Sequence, residues 1–149
     1  MTTIAYKDGI LAADTQVTCG TTRISISHKI KELTNGIIVA CAGGVTDDWY
    51  FKRWLAGEQI PKSKLPTKKF EAMAIKDGKP YWYQDGMEDH PVEKGQFYAI
   101  GSGWNICMAF MHTGMSAVDA IKATSELDIY TNKRIDFYDT KRKKITYGK

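Results

Sequence analysis

The sequence predicts an α+β domain built from antiparallel sheets with helices segregated outside them. Three observations predict it. Asp8-Gly9, Asn35-Gly36 and Asp77-Gly78 each sit between apolar runs, and such dipeptides are among the strongest short-range hairpin signals. Ile37-Ile38-Val39-Ala40-Cys41-Ala42 is a continuous apolar run with a β-branched start, which reads as a central strand covered on both faces. The apolar period turns helical only in stretches that follow Gly43-Gly44 and Gly101-Ser102-Gly103.

Taken in order, Thr2–Tyr6 and Ile10–Ala13 form a hairpin across Asp8-Gly9. Arg23-Ile24-Ser25-Ile26-Ser27 alternates polar and apolar, as a half-buried strand does. Lys29–Leu33 pairs with the apolar run through a type I′ turn at Asn35-Gly36. A helix begins after Gly43-Gly44, with Thr46 as its cap, Asp47 and Asp48 favouring the positive dipole end, and Gly57 as its stop. Trp49, Tyr50, Phe51 and Trp54 supply an apolar face suited to a core or a subunit interface. Residues 61–69 carry two prolines and four lysines, the composition of a solvated loop. Phe70–Ile75 and Pro80–Gln84 form the third hairpin, and Gln96–Gly101 a further strand. Two helices follow, Trp104–His112 closed by Gly114 and Ala117–Leu127 opened by Ser116 with Asp119 near the capping-box position. Arg134–Tyr138 and Lys144–Tyr147 finish the chain as strands.

The bounds on function are mild. The 149 residues suit a single domain spanning 1–149, with ordinary globular composition (43% hydrophobic, 26% charged) and a formal charge of +4. That charge is too small, and the basic turn Lys141-Arg142-Lys143-Lys144 too short, to argue for a nucleic-acid partner. No apolar stretch of about 18 residues is present, and Lys7 and Asp8 come too early for a signal-peptide core, so no membrane partner is expected. Cys19, Cys41 and Cys107 are odd in number and widely spaced, which fits reduced thiols in a cytoplasm. His28, His90 and His112 show no metal-ligand spacing with them, and Gly101-Ser102-Gly103 is neither a dinucleotide fingerprint nor a phosphate loop; no metal and no cofactor are expected.

The chemistry lies at the start of the chain. Removal of Met1 would leave Thr2 with a free α-amine, so that one residue carries both nucleophile and base. An α-amine titrates near 7.7–8.0, close to what a base needs at neutral pH. By spacing alone the other residues read structurally: Asp14 as a turn residue, Lys29 and Lys31, alternating with Ile30, as a solvated strand face, Gly43-Gly44 as a tight strand-to-helix turn, and Asp128 as a helix-end or loop residue. A lysine and a carboxylate on neighbouring strands, with a glycine turn entering a helix, would equally make an amide-hydrolysis site around Thr2.

Seven short motifs, in order, bear on that choice: Thr2-Thr3-Ile4, Ala13-Asp14, Thr18-Cys19-Gly20, Lys29-Ile30-Lys31, Ala42-Gly43-Gly44 before a helix bearing Asp47, Ala99-Ile100-Gly101-Ser102-Gly103, and Asp128-Ile129-Tyr130-Thr131. In this order the chain resembles the proteasome β-subunits and bacterial HslV peptidases of the N-terminal-nucleophile (Ntn) hydrolase superfamily. The resemblance implies a four-layer αββα sandwich with one outer helix missing, because a single short helix and the 61–69 loop stand where the family has two long helices. It implies Thr2 as nucleophile, Lys29 as the cation beside it, Asp14 as that lysine's partner, and Ser102, Asp128 and Thr131 around the free amine, Thr131 standing where the family usually has serine. Gly43 would offer its N–H to the oxyanion, a donor type worth roughly 2.7–4 kcal/mol in the transition state. Thr18 would hold substrate backbone as an added strand, and Val17, Ser27, Lys31, Cys41 and Val45 would line the specificity pocket. The implied partners are a peptide or unfolded-protein substrate and further copies of the chain in a ring, with an unfolding ATPase left open by the missing helix. A non-catalytic structural subunit and a small-amide amidohydrolase are the competing readings of the same residues.

Overall fold

Both Asp-Gly turns fold as predicted. β1 (Thr3–Lys7) and β2 (Ile10–Asp14) are joined by Asp8 and Gly9, and β7 (Glu71–Lys76) and β8 (Lys79–Gln84) by Asp77 and Gly78. All four turn residues have positive φ, as a type I′ turn requires. The computed structural model describes residues 2–66, 68–85 and 87–149; Met1, Thr67 and Gly86, and with Met1 its expected removal, lie outside the described residues.

One five-stranded sheet has the order β10-β1-β2-β11-β12, where β10 is Tyr98–Gly101, β11 Ile135–Asp139 and β12 Lys144–Thr146. A second has the order β5-β6-β7-β8-β9, with β5 Lys31–Glu32, β6 Ile38–Ala42 and β9 Glu88–Pro91. A separate ribbon pairs β3 (Gln16–Cys19) with β4 (Thr22–Ile26). Every pairing is antiparallel.

Strand alternation decides what each face buries. Ile4, Leu11, Ala13 and Ile100 of the first sheet pack with Ile38, Ala40, Ala42, Met73 and Ile75 of the second. Their neighbours Ala5, Ala12 and Ala99 instead meet Cys107 and Met111 of α2 (Trp104–His112) and Ala117, Ala120 and Ile121 of α3 (Ala117–Thr124). Alanine on that face lets the helices approach closely. On the second sheet, Val39, Ala72, Ala74 and Tyr83 pack with Phe51 of α1 (Val45–Leu55). Phe51 is fully buried, worth roughly 1.5–3 kcal/mol, whereas Trp49 stays half exposed under the Arg53 guanidinium.

Several local expectations change. The Asn35-Gly36 turn is not type I′, since only Gly36 has positive φ. Gly36 N–H donates to Leu33 O and Leu33 N–H to Ile37 O, the pattern of a three-residue loop ending in a bulge. Thr46 does not cap α1: Gly44 holds the cap position with extended backbone and no side-chain bond, and the helix starts at Val45. Gly57 does close it, its N–H donating to Trp54 O at φ 99. Ser116 caps α3 by accepting from Asp119 N–H at 3.1 Å, but the helix ends at Thr124, not Leu127. β4 is exposed along its whole length rather than half-buried. Between α1 and β7 the described residues hold one 3-10 turn, Lys62–Lys64. Residues 141–144 are exposed.

Candidate active site

The β1–β2 register pairs Ile4 with Ala13, which brings the start of β1 alongside the end of β2. Thr2 and Asp14 meet there, both buried (3% and 0% exposed), so Thr2 is not the surface residue that a chain terminus suggests. Thr2 Oγ1 donates to Asp14 Oδ1 and accepts from Lys29 Nζ. Lys29 Nζ also donates to Asp14 Oδ1 at 2.9 Å, closing a triangle of three groups. The Asp14 carboxylate is gripped further by backbone N–H groups of Thr3 at 3.0 Å, Gln16 at 3.1 Å and Asn132 at 3.3 Å. Burial lowers the Lys29 pKa below its ordinary value, against the opposing pull of Asp14 and, more weakly, of Asp136.

A second network adjoins Thr2 from the β10 side. Ser102 N–H donates to Thr2 O at 2.8 Å, and Ser102 Oγ donates to Asp128 Oδ2 at 2.6 Å. Thr131 Oγ1 donates to the same oxygen at 2.6 Å, so the 2.7 Å contact between the Thr3 and Thr131 hydroxyls has Thr3 as donor. Gly103 N–H completes the chain by donating to Thr3 Oγ1 at 3.2 Å. The two glycines are demanded by this approach. A Cβ on Gly101 would stand 1.7 Å from Thr2 O, and one on Gly103 2.5 Å from Thr3 Oγ1.

Thr2 and Lys29 form part of the wall of a cleft of about 240 Å³. Val17 and Thr18 of β3 line it, with Ser27 and Lys31. Cys41 of β6, Gly43 and Val45 complete the predicted set. Gly43 has φ 153, and a Cβ there would lie 2.9 Å from the Phe70 ring. Asp14, Ser102, Asp128 and Thr131 do not line the cleft; they stand behind Thr2 through the bonds above. Burial, with the Asp48 carboxylate beside it, pushes the Cys41 thiol well above its ordinary value, so it faces the cleft as a neutral thiol.

Sequence reasoning missed six residues that the structure brings here. Gln16, His28, Asp48 and Lys52 also line the cleft. Thr3 and Asn132 carry the networks behind it, Asn132 by bonding both Asp14 and Thr15. His28 Nδ1 lies 2.8 Å from Asp136 Oδ2, and Asp136 Oδ1 accepts from Gly148 N–H. The only local signal for any of them was adjacency to a predicted residue. Among the described residues no group of three or more His, Cys, Asp or Glu is placed to hold a metal ion.

No family model matches the sequence, and no curated protein matches it either. Solved structures do. A complex of Thiobacillus denitrificans BPH with epoxomicin superposes with a TM-score of 0.69 at 15% identity, covering 99% of this chain and 98% of that one. A second structure of Thiobacillus denitrificans BPH gives 0.66 at 15% identity over the same shares. Eukaryotic HslV from Trypanosoma brucei gives 0.67 at 16% identity, covering 91% of this chain and 96% of HslV. The chain therefore has the fold of HslV and BPH along nearly its whole length, reached with little sequence in common.

Proposed function

We propose that the protein is a threonine-type peptidase that cuts peptide bonds through Thr2, exposed by removal of Met1. The observation that carries this is the triangle of Thr2 Oγ1, Lys29 Nζ and Asp14 Oδ1 in the wall of a cleft, on a fold shared with HslV. In this reading the α-amine of Thr2 takes the hydroxyl proton as Oγ1 attacks the scissile carbonyl. Lys29, held by Asp14, stabilises the negative charge gathering at Oγ1, and the Gly43 N–H receives the oxyanion. The tetrahedral intermediate collapses with the amine's proton passing to the leaving nitrogen, which leaves an ester on Thr2. Water, deprotonated by the same amine, then cleaves the ester and restores the hydroxyl. Ser102, Asp128 and Thr131 orient the amine and relay protons around it.

The finer architecture we propose is a four-layer αββα sandwich with one outer helix missing. The three separate apolar clusters support it: helices against the first sheet, sheet against sheet, and α1 against the second sheet. We further propose a homo-oligomeric ring. Ile24, Ile26, Val45, Leu127 and Ile129, each at least half exposed in the single chain, are apolar side chains that an assembly would cover. Three free thiols fit work in a reducing cytoplasm.

Intact mass before and after epoxomicin tests the reading. A chain lighter by one methionine that gains one adduct, absent in Thr2→Ala, is the expected result. A chain that retains Met1 and takes no adduct would turn the assignment to a structural subunit. Adduct formation with cleavage of small amides but not of extended peptides would turn it to an amidohydrolase.

A further inference from the structure

The charges around the cleft are unevenly matched. Three lysines line it, Lys29, Lys31 and Lys52, against a single carboxylate, Asp48. Two of the three are spoken for: Lys29 pairs with Asp14 at 2.9 Å and Lys52 with Asp48 at 2.7 Å. Lys31 makes no ion pair among the described residues and is exposed. Ile30 between the two lysines is fully buried in the core between the sheets, while Lys29 and Lys31 on either side of it both reach the cleft. The cation without a partner therefore stands two residues from the one that holds the nucleophile. Cys41, also in the cleft wall, presents a neutral thiol there and not a thiolate.

We infer that the cleft selects a carboxylate side chain, glutamate or aspartate, on the residue whose carbonyl Thr2 attacks, and that Lys31 is the residue that pairs it. This rests on the peptidase reading and adds the substrate class. A neutral side chain leaves Lys31 as it is in the free protein. A lysine side chain meets two or more like charges and is disfavoured.

The test uses four peptide vinyl sulfones that differ only in Glu, Gln, Lys or Leu beside the electrophile, with the rate of Thr2 labelling read by intact mass. Glu should be the fastest of the four and exceed its isostere Gln by about fivefold at low salt, with the gap closing in 1 M salt. Lys31→Gln should erase the Glu-to-Gln difference, and Lys31→Glu should make Lys the fastest. Labelling of Thr2 in which Gln, Leu or Lys equals or exceeds Glu overturns the selectivity and leaves the peptidase standing. No labelling by any of the four overturns both.

Discussion

The β1–β2 hairpin has partner strands along both edges and apolar packing on both faces, whereas the β3–β4 hairpin that follows it pairs only with itself and leaves Ile24 60% and Ile26 51% exposed. They meet at Asp14–Gln16, so the difference arises within three residues. The buried hairpin carries Asp14 and runs directly from Thr2, and its groups are held by five donors on one carboxylate. The exposed one contributes a single donor to that carboxylate, the Gln16 N–H at its root, and beyond it only cleft wall, through Val17 and Thr18, with a register shift between them. Rigid, doubly covered strands suit groups that must meet within a few tenths of an ångström; a self-paired ribbon suits a surface that accommodates different partners.

The division can be broken most decisively at Thr2. Thr2→Ala should lower turnover by on the order of 10⁴-fold while costing only about 1 kcal/mol in denaturant titration, because the Asp14–Lys29 pair survives. Unchanged turnover would move the chemistry off the buried hairpin. Next in size, Asp14→Ala leaves Lys29, whose side chain is 13% exposed, without its partner and should destabilise by about 3–5 kcal/mol, read by the same titration. Gly101→Ala places a methyl within 1.7 Å of Thr2 O and should cost about 3 kcal/mol or prevent folding, which melting temperature and yield would show.

The pH dependence sharpens the contrast. In the proposed mechanism Lys29 serves the nucleophile while protonated, and burial sets its folded pKa below the ordinary 10.5. Activity should therefore fall on an alkaline limb that lies below 10.5. Between the folded value and 10.5 the unfolded chain binds the extra proton, so this group's share of stability rises with pH across the window where activity is lost. A kcat/KM profile and a denaturation series over the same pH range would separate the two trends. Smallest of all, Ile26→Ser should change the stability of the single chain by less than about 0.5 kcal/mol, and by more only where assembled copies cover the ribbon as proposed. A loss of 2 kcal/mol or more in that variant would mean that the ribbon is covered in an assembly.

Elements whose cause is local were legible in the sequence. Asp8-Gly9 and Asp77-Gly78 turn where they do because those residues tolerate positive φ, and Ser116 caps α3 because its hydroxyl reaches Asp119 N–H three residues on. β9 was not legible. Glu88-Asp89-His90-Pro91 has no apolar alternation and becomes a strand because β8 offers it a free edge and Trp82 a stacking face for His90. Thr46 misled for a related reason: the bend at Gly43 against Phe70, a long-range contact, decides where α1 begins. At the site, residue types were readable at Thr2, Asp14, Lys29, Ser102, Asp128 and Thr131, but only adjacency to Thr131 and Lys29 marked Asn132 and His28, and nothing marked Asp136 as the partner of His28.

What the sequence by itself determined is the α+β class, the hairpins, the helix that spans Trp104–His112 and the resemblance that the structural likeness to HslV matches. What only the tertiary structure decided is which groups meet. Thr2 touches a carboxylate 12 residues away and a lysine 27 away, and Thr3 shares a proton network with a hydroxyl 128 residues away. Turn chemistry and periodicity report on neighbours within about four residues and on which face is buried. Contacts at such separations are set by sheet register and by the packing of one layer on another, which no local pattern encodes.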